Sequence, residues 1–379
     1  VLDASPDRIA EVPGLGSKRA EALARAWEDQ RAARDVMVFL QGHGISASLA
    51  VKVFRRYGRD SIRIVSQDPY RLAQDVWGIG FHRADEIAKS IGISDTDPVR
   101  LRAAVVHALD EIQSRGHVYA PRAELELEAS KFIGVEPELM RGAVDDACRQ
   151  NLVCEDRIRG GIPVLYRERR YYEECALAEM LATRAHAIGS QLAHVDLAIE
   201  AFEQHCGTVL ADAQRDAVRK AAKAQLLVIT GGPGVGKTTV VRAILDLFRR
   251  SKLHISLAAP TGRAARRMAE ATGHPAHTIH RLLEFDPRSG TFLRTDKNKL
   301  DLDALIVDES SMLDLPLAHA LIRAVPTRAR IVLVGDVDQL PSIGPGAILR
   351  DIIESKQVET IRLTQIFRQS ARSKIVENA

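Results

Sequence analysis

Gly231-Gly232-Pro233-Gly234-Val235-Gly236-Lys237-Thr238-Thr239 decides how this chain is read. The run fits G-x-x-x-x-G-K-[ST], a loop whose glycines let backbone N–H groups curl inward around phosphate oxygens. Lys237 brings a positive charge to the β- and γ-phosphates, and the Thr238 hydroxyl can ligate Mg²⁺. The flanks suit the motif. Leu226-Leu227-Val228-Ile229-Thr230 reads as a buried strand entering the loop. From Thr238 to Arg250 the chain reads as a helix, with Val241, Ile244, Leu245 and Phe248 on one face. Gly232, Pro233, Gly234, Val235, Gly236, Lys237, Thr238 and Thr239 are the candidate nucleotide-binding residues, and ATP and Mg²⁺ the expected ligands.

Three more strands surround this one. Leu305-Ile306-Val307 runs into Asp308-Glu309. An acidic pair opposite a P-loop predicts Asp308 as a metal ligand and Glu309 as the base for the attacking water. Ile331-Val332-Leu333-Val334 leads to Gly335-Asp336-Val337-Asp338-Gln339, where Gln339 can hydrogen-bond a γ-phosphate. Ile255-Ser256-Leu257-Ala258-Ala259 delivers Thr261, Gly262 and Arg263, a loop suited to nucleic-acid phosphates. Strands that all carry chemistry at their C-terminal ends predict an open, mainly parallel α/β sheet.

The 379 residues predict two or three domains. No apolar run approaches the roughly 20 residues of a membrane span, and the N-terminus lacks a signal-peptide pattern. The four cysteines show no C-x-x-C pair and read as reduced thiols of a cytoplasmic protein. Net charge is only +3, but its distribution is uneven. Between Ser251 and Leu300 stand nine Lys/Arg against Glu270, Glu284, Asp286 and Asp296. Lys52, Arg55, Arg56, Arg59 and Arg63 form a second basic cluster. Both suit a polyanion.

Residues 1–95 repeat one pattern. Gly14-Leu15-Gly16, Gly44-Ile45-Ser46 and Gly78-Ile79-Gly80 are each followed four residues later by alanine: Ala20, Ala50 and Ala84. This resembles the helix-hairpin-helix module, which offers the N–H groups of its second helix to one DNA phosphate. Gly14, Gly16, Lys18, Gly78, Gly80 and Arg83 are its candidate DNA residues. Ser46 departs from the pattern and weakens the second copy. Over 96–190, helices are expected at 99–114, 120–130 and 136–150. Strands near 152–154 and 164–166 follow, in a winged-helix-like α+β unit ending in a linking helix. The fold class is therefore multidomain: all-α repeats, an α+β middle, and an α/β P-loop domain over 191–379 that resembles RecA, with a hairpin insert near 283–299.

The ordered set GGPGVGKTT, APTGRAA, TIHRLL, IVDESSM, VGDVDQLPSIGPG and LTQIFRQ resembles motifs I to IV of superfamily 1B DNA helicases. With the repeated front end, it is most similar to the stand-alone bacterial RecD-like helicases. The resemblance implies further roles. Gln214 would recognise adenine, and Arg368 would reach the γ-phosphate. Thr261, Arg263, Thr278 and His280 would line a single-strand track, and the insert near 283–299 would act as a pin. His274, His277 and His280 are spaced like metal ligands, but no Cys or acidic partner supports a metal site. The resemblance implies 5′-to-3′ movement of a monomer on single-stranded DNA and at duplex junctions, in repair or recombination. The alternative is a DNA-tethering or junction-binding protein with an ATPase switch. The family's second RecA-like domain is expected to be missing from 1–379. Alone, this stretch is expected to bind nucleotide weakly and not to unwind DNA.

Overall fold

A computed structural model describes residues 17–158, 160–187 and 190–366, so Gly14, Gly16 and Arg368 lie outside the described residues. The chain divides into two compact units. One runs to Glu111 and resumes over Ala120–Arg167; the other comprises Ile112–Tyr119 and the chain from Glu168 onward.

The first unit opens with a single 26-residue helix, α1 (Ser17–Gly42). The helix leaving the first hairpin and the helix entering the second are continuous, because no Gly or Pro interrupts the chain before Gly42. There follow α2 (Ala47–Tyr57), α3 (Ser61–Gln67), α4 (Arg71–Asp75) and α5 (Phe81–Ser90). Val36, Leu40, Ala50, Val53, Ile79, Ala84 and Ile87 share one core. Ala50 and Ala84, the alanines of the second and third copies, are fully buried. In each described hairpin only the first glycine needs the left-handed region: Gly44 has φ +83° and Gly78 φ +98°. The second position is an extended N-cap, Ser46 at φ −65° and Gly80 at φ −95°. That backbone accepts any residue, which is why serine can replace glycine in the second copy.

The unit continues through α6 (Pro98–Ser114), β1 (Tyr119–Pro121), α7 (Arg122–Ile133), α8 (Pro137–Arg149), β2 (Val153–Ile158) and β3 (Ile162–Arg167). The three strands form a sheet in the order β1-β3-β2, with β2 and β3 antiparallel.

The second unit is a three-layer α/β structure. Its elements are α9 (Glu168–His186), α10 (Val195–Cys206), α11 (Asp212–Ala221), β4 (Leu226–Thr230), α12 (Lys237–Arg250), β5 (Ile255–Ala259), α13 (Gly262–Thr272), β6 (Ala276–Thr278) and α14 (Ile279–Leu282). After a short antiparallel hairpin, β7 (Phe285–Asp286) and β8 (Thr291–Phe292), come β9 (Ala304–Val307), α15 (Leu315–Ala324), β10 (Arg330–Gly335), α16 (Ile348–Ser355) and β11 (Glu359–Arg362). Six strands pair in the order β11-β4-β10-β9-β5-β6, and every pairing is parallel.

Side chains alternate between two cores with the period of 2 that a pleated strand imposes. Leu227, Ile229, Ile306, Val332 and Val334 join α10, α11 and α12 on one face. Leu226, Val228, Leu305, Val307 and Leu333 join α9, α15 and α16 on the other. Helix α9, expected as a linker, supplies Leu177 and Leu181 to this second core. No helix among the described residues is long and apolar enough to cross a membrane. Cys148, Cys154, Cys175 and Cys206 form no disulfide.

Candidate nucleotide and nucleic-acid site

An all-parallel sheet brings its strand C-termini to one edge, and the adjacent strands β4, β10 and β9 bring three motifs together there. The loop after β4 turns through Gly234 (φ +80°) and Gly236 (φ +82°), the latter being the N-cap of α12. Both conformations suit glycine and aim successive N–H groups into one concavity. Gly231 is needed for a different reason. A Cβ there would lie 2.5 Å from the Leu363 carbonyl oxygen and 2.9 Å from Val235 Cγ2. The first obstacle is backbone, so it cannot swing aside. Gly231→Ala is expected to lower unfolding stability by about 1–3 kcal/mol and to weaken nucleotide binding with it. Chemical denaturation with and without nucleotide measures both.

Lys237 is the first residue of α12. Its ammonium donates to the carbonyls of Gly231 and, at 3.3 Å, Gly232. It also stands 3.9 Å from a carboxylate oxygen of Asp336. Pro233, Gly234 and Thr238 are exposed, Gly232 and Thr239 half-buried, and Val235 buried. Buried Gln214 reaches the loop from α11: its Oε1 accepts the Ala211 N–H at 3.0 Å, and its Nε2 donates to the Val235 carbonyl at 3.4 Å.

Asp308 follows directly on β9, its Oδ1 accepting the Glu309 N–H at 2.9 Å. Burial pushes its carboxyl above the usual aspartate range, opposed by the charge of Lys237. Glu309 is raised by burial and then by Asp308, with Lys237 and Arg267 opposing. A raised carboxylate pKa close to the lysine of a glycine-rich loop is what a proton acceptor needs. Glu309 also has left-handed backbone, φ 53° and ψ 39°. For a non-glycine residue that costs on the order of 1–3 kcal/mol and recurs at functional sites.

Asp336 was not singled out from the sequence. It follows β10 as Asp308 follows β9, is 2% exposed, and accepts the Gln339 Nε2–H at 3.0 Å. Gln339 is thereby tied to the carboxylate that faces Lys237. The available signal was the same one that found Asp308, an acid at the C-terminal end of a buried strand. Gly335 before it admits no side chain: a Cβ would lie 2.6 Å from Leu349 Cδ2 and 3.0 Å from the Ser311 nitrogen.

The neighbouring strands β5 and β6 present a second set. Ala259 pairs with Thr278 across them. Thr261 caps α13, its Oγ1 accepting the Ala264 N–H at 3.2 Å; Thr278 caps α14 by accepting the Arg281 N–H at 3.2 Å. Gly262, Arg263 and His280 are exposed. The His280 ring packs 5.6 Å from both Phe285 and Phe292, which face each other across the β7–β8 hairpin. His274 instead accepts, at Nδ1, an N–H from Arg249 at 2.9 Å, and no metal-holding cluster occurs among the described residues.

In the first unit, Gly78 and Gly80 shape the turn before α5, and exposed Lys18 lies near the start of α1. Arg83 is engaged: it donates to the Gly44 carbonyl at 2.8 Å and pairs with Glu86 at 3.0 Å. The basic cluster of the sequence is also largely paired, Arg56 with Asp75, Arg59 with Glu28 and Asp29, Arg63 with Asp60.

Two family models match this chain: the ATP-dependent RecD2 DNA helicase HHH domain over residues 29–119, and the AAA domain over residues 214–345. An ATP-dependent RecD2 DNA helicase of Deinococcus radiodurans is 33% identical over 388 residues, covering all of this chain and 53% of the relative. The chain belongs to the RecD-like family of superfamily 1. A RecBCD enzyme subunit RecD of Mycolicibacterium smegmatis is 39% identical over 41% of this chain and 33% of its own length. A solved Pif1 helicase from Candida albicans aligns over 45% of this chain and 43% of its own, at 24% identity and a TM-score of 0.35. The RecD-like chain spans about half the length of the Deinococcus relative. Its 231–239 run lies within the AAA-domain match. The first family model contains the second and third hairpins, and the second contains Gln214, Lys237, Asp308, Glu309 and Gln339.

Proposed function

We propose that this chain is the nucleotide-hydrolysing part of an ATP-dependent DNA helicase that moves along single-stranded DNA in repair or recombination. The observation that carries the reading is the grouping of Lys237, Asp308, Glu309 and Asp336 at the ends of three adjacent parallel strands. The next two strands carry Thr261 and Thr278. Gln214 contacts adenine, Lys237 and the loop N–H groups hold the phosphates, and Glu309 takes the proton of the attacking water. Gln339 and Arg368 respond to the γ-phosphate. The Thr238 hydroxyl and the Asp308 carboxylate are hard oxygen donors that fit Mg²⁺ and would hold it. Mg²⁺, when bound, neutralises charge developing on the phosphates.

Thr261, Gly262, Arg263, Thr278 and His280 contact the strand, and Gly14, Gly16 and the turn at Gly78–Gly80 hold DNA backbone. The β7–β8 hairpin acts as the pin at the strand junction. The test is strand displacement by the full-length protein on duplexes tailed at 5′ or 3′. ATP-dependent displacement from 5′ tails, absent from 3′ tails, is expected. ATP-dependent retention of either substrate without displacement would favour a tethering switch.

A further inference from the structure

Trp77 sits at the tip of the third hairpin and is 88% exposed. Leaving an indole in water forgoes a large burial energy, and a mobile tip would explain it trivially. This tip is not loose. Val76 and Ile79 on either side are buried in the core of the first unit. The Val76 N–H bonds the Leu72 carbonyl at 3.0 Å, and the Ile79 N–H bonds the Val76 carbonyl at 3.1 Å. Gly78 closes the turn with φ +98°. The Lys52 ammonium donates to the Trp77 carbonyl at 3.3 Å and lies 4.8 Å from the indole centroid. A flat π surface is thus fixed at its root, turned to solvent, and paired with a cation that, unlike Arg56, Arg59 and Arg63, bonds a carbonyl rather than a carboxylate.

A flat apolar face beside one positive charge matches one ligand chemistry closely: an unpaired nucleobase with its own phosphate. Duplex bases are already stacked and offer no free face. We propose that Trp77 is a stacking platform for an unpaired DNA base, with Lys52 on the adjoining phosphate. The inference rests on the reading that these hairpins hold DNA.

The chain has two tryptophans, so Trp27→Phe leaves Trp77 as the sole emitter. That variant is titrated with oligothymidylate and with an abasic phosphodiester strand of equal length. Quenching by the thymidine strand alone is expected. Trp77→Ala should bind thymidine strands about tenfold more weakly, and Trp77→Phe should recover part of the loss. Abasic strands should bind both proteins alike. Thymidine strands that bind Trp77→Ala with unchanged affinity and quench nothing would overturn stacking and leave the DNA reading standing. Failure of both strands to bind the unsubstituted protein would remove the DNA reading itself, and stacking with it. Self-association without DNA that Trp77→Ala abolishes would assign the indole to a second copy of the chain and overturn the proposal.

Discussion

Glu309→Gln is expected to slow ATP hydrolysis by about 10²–10⁴-fold while nucleotide still binds. The exchange keeps the shape of the side chain and removes only its ability to accept a proton. Asp308 and Lys237 stay in place, so the proposed phosphate cradle and the proposed metal ligand are untouched. Glu309 enters a half-buried site through backbone that a β-carbon residue adopts at a cost, so its position is imposed by the fold rather than chosen by the side chain. Its carboxyl is raised by burial and by Asp308, which strengthens it as a base relative to a surface glutamate. Single-turnover phosphate release and equilibrium binding of a fluorescent ATP analogue separate the two effects. A variant that hydrolyses normally would transfer the base to another residue, and one that no longer binds nucleotide would make Glu309 a structural element of the loop.

Lys237→Ala is expected to weaken nucleotide binding by about 10²-fold or more, because it removes the side-chain cation carried by the glycine-rich loop itself. It carries a second cost. Asp336 is 2% exposed and stands 3.9 Å from the Lys237 ammonium. Taking away a buried carboxylate's cation destabilises by about 3–5 kcal/mol in a tight, fully buried pair. Here the contact is long and the lysine side chain is 19% exposed, so about 1–2 kcal/mol is expected. Adding Asp336→Asn should restore stability without restoring binding. Thermal unfolding and nucleotide titration on the single and double variants check this. Recovery of binding in the double variant would mean that Lys237 serves Asp336 rather than phosphate.

The interior of the parallel sheet was legible because its strands are buried on both faces and read as unbroken apolar runs. Leu226-Leu227-Val228-Ile229 and Ile331-Val332-Leu333-Val334 are of this kind. The two edge strands were not. Ala276-His277-Thr278 and Glu359-Thr360-Ile361-Arg362 are short and polar, and Ile361 alone marks the second as a core contributor. The roles of two nearby acids also had to await the fold. Asp336 and Asp338 lie in one polar stretch, yet the first is buried beside Lys237 and the second is exposed. The basic run from Lys52 to Arg63 looked like a free polyanion surface. The partners of Arg59, Glu28 and Asp29, lie about thirty residues away on α1, a distance that charge patterning along the chain cannot bridge. The hairpin glycines divide by backbone angle: Gly44 and Gly78 meet a conformational need, whereas Gly80 occupies extended backbone.

The most direct measurement is steady-state ATP hydrolysis by the full-length protein as single-stranded DNA is added. Turnover that rises with DNA, saturates, and is lost in Glu309→Gln is the predicted result. Turnover that ignores DNA at every concentration would contradict the coupling of this nucleotide site to a strand.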